Sequence, residues 1–474
     1  MLKYLDEQII KEKSNVVLHT DDLSTTEYIS RVRKAVHGLG MYYHVITFGC
    51  QQNEADSERI RGMAESMGYL PSPTHEGCDL IIVNTCAIRE HAEMKALSFL
   101  GAFKAEKKKN PNLIVGVVGC MAAEPHVADK LKRDFHYVSF TSEPNMLHRI
   151  PELIWTVMCE RKRSFIFGED RGDIVEGMPT VRRDRHKAWV SIMYGCNNFC
   201  SYCIVPYVRG RERSRESQAV LEECRELISA GVKEITLLGQ NVNSYHSDID
   251  FPELLSRIAA LQGDFLIRFM TSHPKDTSDK LIEVMGSHKD KIAPYFHLPL
   301  QSGSNRILSR MNRTYTRERF LSIVEKLRAA VPGISLSTDV IVGFPGESEG
   351  DFEDTLEVLR IARFDMVYGF IYSQREGTRA AAFEDKVADS VKSERLTRLL
   401  KMQDEISLSA NTPYLGRVLR VLVDSFEERD GIKVYTGRAD TGKPVHFTGD
   451  GQLYEYVNVR IEKTGAFDLI GTTV

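Results

Sequence analysis

The sequence lacks the features of a membrane-spanning, secreted or disulfide-bonded protein. It contains no run of about 18 consecutive apolar residues, and its opening stretch, MLKYLDEQIIKEKS, is charged throughout, which argues against a membrane span and a secretory signal. Nine cysteines among 474 residues are too few for a disulfide scaffold. We therefore expect a cytoplasmic protein, in which clustered thiols serve as metal ligands or redox groups.

The sequence also lacks a strong net charge. Its formal charge of -4 at pH 7 shows no overall basicity from which a nucleic-acid partner could be inferred. Local basic clusters such as Lys107-Lys108-Lys109 and Arg161-Lys162-Arg163 are, taken alone, usually solvated surfaces. Apolar residues make up 42% and charged residues 27%, which is typical of a folded globular protein of several domains.

The first part of the chain alternates short apolar runs with longer charged ones. Residues 1–40 form a lead segment in which we identify no chemistry, and the alternation begins at Tyr42. Three apolar runs, 42–48, 79–84 and 112–118, predict strands separated by helices. This pattern predicts a βα domain with a parallel sheet over residues 41–160.

The central part repeats the alternation after a charged, glycine-containing linker at 161–185. Its predicted strands are 188–193, 234–238, 266–270, 294–297, 335–342 and 365–372, with predicted helices at 218–230 and 317–330. Six alternations predict an open or partial barrel of parallel strands over 186–410. From Asn411 onward only short β-type runs remain, at 416–424, 432–439, 444–447, 455–461 and 468–472. They predict a small closed β-barrel over 411–474, so the fold class is α/β with a terminal β-barrel.

Three cysteines form a CxxxCxxC motif directly after the first strand of the central part: Cys196, Cys200 and Cys203. Three thiolates on one loop bind three irons of a cubane cluster and leave the fourth iron open to a substrate. The spacing resembles the radical S-adenosylmethionine (SAM) superfamily, in which the methionine end of SAM fills that position. The alternative is a zinc site completed by a histidine, for which the candidates are His186, His273 and His297.

Polar and glycine residues follow several of the predicted central strands. Because parallel barrels bind ligands at the carboxyl ends of their strands, these residues are candidates for SAM contacts. The segments 238–241 and 339–347 resemble the SAM-contacting segments of radical-SAM barrels, although ordinary turn glycines with polar caps would look the same. The candidates are Gly239, Gln240, Asn241, Ser272, Gln301, Asp339, Gly343 and Glu347, with His273 as a further pocket group.

A second set of cysteines is spread along the first part of the chain. Cys50, Cys86 and Cys120 each follow one predicted strand, at intervals of 36 and 34 residues, which is about one βα repeat. Loops after successive parallel strands emerge at one edge of the sheet, so the three thiols are predicted to converge there as a ligand set. The remaining cysteines are predicted to be packing residues: Cys78, Cys159 and Cys224.

Several motifs closely resemble the methylthiotransferase family in sequence and in order. They are Thr47–Glu58, Asn84–Arg89, Gly119–Ala122, Val205–Glu212 and Leu298–Ser304. Within the family, Gln51 after Cys50 and Ala87-Ile88-Arg89 after Cys86 resemble the branch that modifies isopentenylated adenosine beside the tRNA anticodon. Gln52 departs from that pattern, since methionine is common at this position.

The resemblance implies two 4Fe-4S clusters and two SAM molecules. One SAM donates a methyl group to a sulfur species at the cluster of Cys50, Cys86 and Cys120. Another, cleaved at the CxxxCxxC cluster, yields a 5′-deoxyadenosyl radical, which removes hydrogen from C2 of the adenine at position 37, so that the methylthio group can be added. Such an unactivated C–H bond requires a radical cofactor and a low-potential electron donor of flavodoxin or ferredoxin type. The alternative substrates are threonylcarbamoyladenosine of tRNA and a ribosomal-protein aspartate.

RNA recognition is implied by the likeness of residues 411–474 to a TRAM domain. From Asn411 onward, however, 8 Lys and Arg stand against 9 Asp and Glu, so a basic surface would require segregation of charge onto one face. The candidates for contacts to the anticodon stem-loop are Arg209, Arg211, Arg213, Arg417, Arg438 and Lys443. A different class of function, a non-catalytic RNA-binding protein with structural zinc, is also compatible with these motifs.

Overall fold

The fold was examined in a computed structural model that describes residues 17–20, 24–87, 90–168, 172–429 and 431–474. These residues form two compact units. The first unit contains the described part of Met1–Asp184 together with Met193–Asn197 and Cys203–Arg215. The second contains Arg185–Ile192, Asn198–Tyr202 and Glu216–Val474.

The strands and helices of the two units are numbered here in chain order. The strands are β1 (Val17–His19), β2 (Tyr42–Thr47), β3 (Leu70–Pro71), β4 (Leu80–Thr85), β5 (Ile114–Gly119), β6 (Phe140–Ser142), β7 (Ser164–Phe165), β8 (Ile174–Glu176), β9 (Lys187–Ser191), β10 (Met193–Tyr194), β11 (Arg213–Ser214), β12 (Glu234–Leu238), β13 (Leu266–Phe269), β14 (Tyr295–His297), β15 (Ser335–Val342), β16 (Met366–Ile371), β17 (Val418–Arg429), β18 (Ile432–Ala439), β19 (Pro444–Thr448), β20 (Tyr456–Thr464) and β21 (Leu469–Thr473). The helices are α1 (Ser24–Val36), α2 (Gln51–Ser66), α3 (Glu90–Leu100), α4 (Phe103–Lys109), α5 (Pro125–Asp134), α6 (Ile150–Glu160), α7 (Val205–Arg209), α8 (Ser217–Ser229), α9 (Phe251–Ala259), α10 (Asp279–Ser287), α11 (Asn305–Arg310), α12 (Arg317–Ala330), α13 (Glu349–Ala362) and α14 (Asp389–Asn411).

The first unit is built on a six-stranded sheet with the order β3-β2-β4-β5-β6-β7, and all of its strand pairs are parallel. Every residue of the central strands β4 and β5 is buried, as expected for strands covered by helices on both faces. Apolar clusters lie on the two faces, around Ile60 and Met63 of α2 on one face and around Leu100 and Phe103 on the other. The predicted parallel βα domain is confirmed.

The second unit contains six parallel strands in sequence order. Two three-stranded sheets, β9-β12-β13 and β14-β15-β16, are connected by a parallel bridge between Ile267 and Ile292. The helices between the strands bury apolar faces, for example Phe320, Ile323 and Leu327 of α12. This arrangement agrees with the predicted partial barrel and brings the carboxyl ends of its strands to one edge.

The last five strands close into a small barrel with the order β17-β18-β19-β21-β20, as predicted. Contacts of this barrel lie near the amino-terminal ends of the core strands of the same unit. The Arg268 guanidinium of β13 donates to the Asp440 carbonyl at 2.8 Å, and the Tyr456 hydroxyl donates to the Lys233 carbonyl at 3.0 Å. The small barrel therefore lies away from the strand ends at which SAM contacts were predicted.

Some segments differ from the prediction. The predicted linker contains β7, which extends the first sheet, and β8, which pairs in parallel with β1 of the predicted lead segment. Both pairings join residues distant in sequence, so no local pattern indicates them. Residues 1–16 and 21–23 of the lead segment, and Ile88 and Arg89 of the second motif, lie outside the described residues. Among the described helices, none is long and apolar enough to cross a membrane.

Candidate metal centres

Three cysteines follow three neighbouring strands of the first sheet. Cys50 is the N-cap of α2 just beyond β2, Cys86 directly follows β4, and Cys120 directly follows β5. Because β2, β4 and β5 are adjacent and parallel, the three loops emerge at the same edge. The structure thus brings together the residues that sequence spacing predicted as one ligand set.

Close backbone approach explains the glycines that precede two of these cysteines. Gly49 has a φ of 128°, and a Cβ atom there would lie 2.6 Å from the Cβ and 3.1 Å from the Sγ of Cys86. Gly119 has a φ of 96°, and its Cβ would lie 2.4 Å from the Thr85 carbonyl oxygen. A side chain at either position would separate the loops that carry the thiols.

A buried arginine completes this thiol group. The guanidinium of Arg209, the last residue of α7, donates from Nε to Cys120 Sγ at 3.1 Å and from Nη2 to Asp56 Oδ2 at 2.9 Å. The same Nη2 donates to Asn53 Oδ1 at 3.2 Å, and that oxygen also accepts from the Cys50 thiol at 3.5 Å. Asn53 is itself fixed, since its amide donates to the Thr85 carbonyl at 2.7 Å.

The electrostatics show how tightly these groups are coupled. Burial raises the pKa of the Cys120 thiol to about 12; Arg209 opposes this, and negative charge on Cys86 or Cys50 adds to it. Burial disfavours the cation of Arg209, but Cys120 and Asp56 hold its pKa above the ordinary value. Three thiolates in such a place require compensating positive charge, part of which Arg209 supplies and the rest of which an iron–sulfur cluster would supply.

The donor set fits a cluster better than a single ion. In the part of the chain that the structure describes, no three His, Cys, Asp or Glu side chains are close enough together to hold one metal ion. A cubane makes a different demand, because each thiolate binds its own iron and the three sulfur atoms stay farther apart. Cys50, Cys86 and Cys120, which follow adjacent parallel strands, are the residues that would meet that demand.

The CxxxCxxC loop runs through both units. Cys196 and Cys203 belong to the first unit, which also holds Cys50, Cys86 and Cys120, whereas Cys200 belongs to the second. In the first unit, the Cys196 amide donates to the Gly210 carbonyl at 3.1 Å, next to the antiparallel pair β10-β11. Ile204 and Val208 pack with Cys120, Ala87 and Ala123 in one apolar cluster of the first unit.

In the second unit, the segment around Cys200 is fixed by residues that follow α11. Arg313, which is buried, donates from Nη1 to Cys200 Sγ at 3.4 Å, from Nε to the Tyr315 hydroxyl at 3.0 Å and from Nη2 to the Pro299 carbonyl at 2.9 Å. The Asn312 amide donates to the Phe199 carbonyl at 2.9 Å. Burial acts to lower the pKa of Arg313, yet Tyr315, Tyr202 and Cys200 raise it well above the ordinary value.

Unpartnered polar atoms mark the carboxyl ends of β12 and β13. Asn241 Oδ1, Ser272 Oγ and His273 Nε2 are buried and have no hydrogen-bond partner among the described residues. Burial, with Arg313 and Lys275 nearby, lowers the pKa of His273 to about 2, so its ring is neutral. Since His273 Nδ1 accepts from the Lys275 amide at 3.2 Å, Nε2 carries the proton. The Asn241 acceptor, the Ser272 hydroxyl and the His273 donor are therefore available to a polar ligand. They lie at the strand ends where the sequence predicted SAM contacts.

The other predicted SAM residues differ in their burial and in their contacts within the protein. Gly239 is buried and Gln240 is half-buried. The backbone amide of Gln301, beyond β14, donates to the backbone carbonyl of Asp339 within β15 at 2.8 Å. The Asp339 carboxylate lies 3.5 Å from His297 Nε2 and stays partly exposed. These four residues keep their place as candidates at the strand ends.

Glu347 is held by contacts within the protein. Its carboxylate, 1% exposed, accepts from the Gly343 amide at 2.7 Å and from Arg395 Nη1 at 2.8 Å. Burial raises its pKa to about 7, although both of those donors favour the charged form. Glu347 therefore closes the turn that begins at Gly343 with its carboxylate bonded inside the protein, and its contact to SAM stays a prediction.

The structure corrects three of the predicted RNA contacts. Arg209 is buried against Cys120 and Asp56, and Arg213 is buried and donates to the Arg209 carbonyl at 3.3 Å. Lys443 is buried between Asp365 and Asn411. Side chains used in this way cannot reach a phosphate backbone. Arg417 and Arg438 are exposed and Arg211 is half-buried, so these three remain predictions.

The remaining cysteines and histidines have other environments. Cys78 and Cys224 are buried, as predicted for packing residues, but Cys159 is exposed, so that prediction was wrong for it. Of the predicted zinc ligands, His186 stacks on Tyr454 with ring centroids 4.2 Å apart, and His297 Nδ1 lies 2.8 Å from Ser337 Oγ.

Sequence reasoning missed the side chains that contact the thiols. Asn53 follows Cys50 by three residues in α2, so helical spacing alone could have placed it on the face that carries the thiol. Asp56 is linked to the thiols through Arg209. Arg313 has no such signal, since it lies 113 residues from Cys200 in the sequence.

Comparisons with known proteins agree with the two-part organisation. Residues 190–359 match the Radical SAM superfamily, and residues 42–141 match Uncharacterized protein family UPF0004. The chain is 44% identical over 467 residues to a protein of Thermoanaerobacter sp. (strain X514) named tRNA-2-methylthio-N(6)-dimethylallyladenosine synthase, covering 97% of this chain and 99% of the relative. It is 47% identical over 443 residues to a protein of the same name from Caldicellulosiruptor saccharolyticus, covering 92% of this chain and 93% of that one.

A solved structure shows the same fold. The radical S-adenosylmethionine methyltransferase TsrM from Kitasatospora setae matches with a TM-score of 0.53 and 13% identity, over 72% of this chain and 75% of TsrM. At that identity the likeness concerns the fold alone.

Proposed function

Because this chain belongs to the family of tRNA-2-methylthio-N(6)-dimethylallyladenosine synthases, we propose that it inserts a methylthio group at C2 of N6-isopentenyladenosine at position 37 of tRNA. It is a transferase of the radical-SAM type, with a 4Fe-4S cluster and SAM as cofactors. The near full-length identity to relatives of that name carries this conclusion. Threonylcarbamoyladenosine and a ribosomal-protein aspartate are not favoured as substrates, since both relatives bear the dimethylallyladenosine name.

We propose two clusters with separate tasks. The cysteines of the CxxxCxxC loop would hold the cluster that supplies the electron for SAM cleavage, and Cys50, Cys86 and Cys120 would hold a second 4Fe-4S cluster that carries the sulfur. The position of these three thiols at the ends of adjacent strands supports the second assignment. In this proposal residues 41–160 form the sulfur-carrying domain, 186–410 the SAM core and 411–474 the RNA-binding barrel.

The residues at the strand ends of the second unit would orient SAM. Asn241 Oδ1 is an acceptor, the Ser272 hydroxyl can donate or accept, and His273 Nε2 is a donor. A buried ligand with hydroxyl, amino and ring-nitrogen groups would satisfy all three. Buried side chains around them exclude water, which protects a radical from side reactions.

Reduction of the SAM-cleaving cluster requires an external electron. We propose a low-potential donor of flavodoxin or ferredoxin type in the cytoplasm, because ferredoxin clusters reach the low potentials that reductive cleavage requires. The tRNA partner would present a splayed anticodon-loop base, which is cheap to unstack. The exposed Arg417 and Arg438 would contact its phosphates.

The substrate assignment is tested by nucleoside analysis of tRNA from a deletion strain. We expect 2-methylthio-N6-isopentenyladenosine to disappear and N6-isopentenyladenosine to accumulate. Restoring the intact gene should reverse both changes. Unchanged nucleosides in the deletion strain would overturn the assignment.

The cluster number is tested by iron, sulfide and zinc analysis of the anaerobically purified protein. We expect about eight irons per chain from two four-iron clusters. Zinc without iron would contradict the proposal and support a non-catalytic RNA-binding protein. An iron content of about four per chain would account for the SAM-cleaving cluster alone and would overturn the proposal of a second cluster.

A further inference from the structure

Arg209 occupies a position that its sequence context does not explain. It lies six residues after Cys203, within a basic stretch that looks like a surface for RNA. In the structure its side chain is only 3% exposed. The guanidinium contacts Cys120 Sγ, Asn53 Oδ1 and Asp56 Oδ2, all within the first unit. A buried cation of this kind costs free energy unless its partners offset the loss of hydration.

Neighbouring residues hold both the backbone and the carboxylate partner of Arg209 in place. The Arg209 carbonyl accepts from the Asn145 amide at 3.1 Å and from Arg213 Nη2 at 3.3 Å. Asp56 also accepts from Gln52 Nε2, at 3.2 Å. The guanidinium is therefore fixed from several directions, with one edge directed at the Cys120 sulfur.

We propose that Arg209 is a positioning residue for the cluster of Cys50, Cys86 and Cys120, and that it makes this cluster easier to reduce through its hydrogen bond to Cys120. The inference rests on the proposed function, which assigns a cluster to these thiols. Reduction adds an electron to the cluster. A hydrogen-bond donor and a positive charge at a ligating sulfur stabilise the reduced state, and such contacts are among the protein's means of setting cluster potential.

Asp56 acts on the same property with the opposite sign. Its carboxylate neutralises part of the Arg209 charge that the cluster experiences, so its removal should leave the cation stronger. If Arg209 and Asp56 served only to hold the structure, substitution of either would destabilise the protein, and the two substitutions would not shift the cluster potential in opposite directions. The Arg209 guanidinium also donates in three directions at once, which a single lysine ammonium cannot reproduce at these distances.

The test measures the potential of this cluster alone. The full chain carrying Cys196→Ala, Cys200→Ala and Cys203→Ala keeps only the cluster of the first unit and serves as the parent. Arg209→Gln, Arg209→Lys and Asp56→Asn are added singly. Arg149→Gln serves as the matched control, since Arg149 pairs with Glu152 at 2.8 Å outside the thiol group. Iron content and a dithionite titration followed by electron paramagnetic resonance are the readouts.

We expect the midpoint potential to fall in Arg209→Gln by roughly a tenfold change in the reduction equilibrium, which is about 59 mV for one electron. The midpoint potential should fall by less in Arg209→Lys and should rise in Asp56→Asn. In Arg149→Gln it should equal that of the parent. An iron-loaded Arg209→Gln variant with the parent's potential would overturn the inference. If that variant holds no iron, Asp56→Asn decides, and an unchanged or lowered potential there overturns it. A parent without iron would instead refute the proposed function.

Discussion

Each of the two cysteine sites has a buried arginine that donates a hydrogen bond to a thiol, but the charge of that arginine is balanced differently at the two sites. In the first unit, Arg209 donates to Cys120 and has a carboxylate partner in Asp56. In the second unit, Arg313 donates to Cys200, and its other partners are the neutral Tyr315 hydroxyl and the Pro299 carbonyl. The first cation therefore has a carboxylate partner within the protein besides its thiol, whereas the guanidinium of the second contacts a thiol and neutral groups.

This difference predicts how each site would respond to loss of the cluster proposed for it. Asp56 stays a carboxylate partner of Arg209 whatever the state of the thiols, so we expect the first site to keep its shape. Among the residues that the structure describes, the Arg313 guanidinium contacts no carboxylate that could take this role, and a buried charge without a negative partner is costly. The segment around Cys200 should be the one that loosens when iron is removed.

The largest expected effect comes from removing one thiol at each site. Cys50→Ala should abolish methylthio insertion and lower iron to about four per chain, yet still cleave SAM. Cys200→Ala should abolish both reactions. Product analysis, with 5′-deoxyadenosine as the measure of SAM cleavage, checks the pair. Loss of SAM cleavage in Cys50→Ala, with its iron retained at the other site, would contradict separate tasks for the two sites.

Changing the partner of each arginine compares the two charge balances directly. Asp56→Asn leaves Arg209 buried without its carboxylate and should destabilise the first unit by about 3 kcal/mol. Tyr315→Phe removes the uncharged hydroxyl that accepts from Arg313 and donates to the Leu300 carbonyl, and it should cost about 2 kcal/mol in the second unit. Hydrogen exchange of the iron-free protein resolves the two units. An equal loss of stability in Asp56→Asn and Tyr315→Phe would show that the Asp56 carboxylate does not stabilise Arg209 more than a neutral partner would.

The burial of His273, with Arg313 beside it, should appear in the pH dependence of the stability of the second unit. Burial and Arg313 depress the pKa of His273 to about 2, so folding keeps the ring neutral while the unfolded chain protonates near pH 6.5. The stability from the neutral ring is present above pH 6.5 and is lost as the pH falls below it, by about 1.4 kcal/mol at pH 5.5.

His273→Asn serves as the reference for this titration, because it keeps a polar side chain but removes the ionisable ring. Denaturation of the second unit at pH 7.5 and pH 5.5, compared between the two proteins, isolates the contribution of His273. If both proteins lost the same stability on acidification, the ring would not be held neutral in the folded state.

The smallest expected effects concern cations outside both thiol groups. Arg417→Ala and Arg438→Ala remove exposed charges and should each weaken tRNA binding slightly, reducing the slope of log affinity against log salt by about one. Lys443→Ala removes a buried partner of Asp365 and should lower stability instead. Salt-dependent tRNA binding, with thermal denaturation alongside, separates these cases. A reduced salt slope in folded Lys443→Ala would restore that lysine as an RNA contact.

Much of the fold follows from the sequence because apolar spacing is local. The strands 234–238, 335–342 and 432–439 and the helix 317–330 are observed at their predicted limits. β17 extends to Arg429, beyond its predicted end at 424, since its polar second half is held by pairing with β18 and not by burial. The two-residue strand β7 likewise exists only through its pairing with β6.

The sequence by itself determined which thiols could share a site. Their positions after adjacent strands or within one loop are local properties, and parallel sheets bring the ends of neighbouring strands to one edge. Only the tertiary structure decided what surrounds those thiols. Arg209 lies 89 residues from Cys120 and Arg313 lies 113 residues from Cys200. Such contacts arise when separate segments pack, and burial then selects the few groups whose charges balance, which no local pattern records.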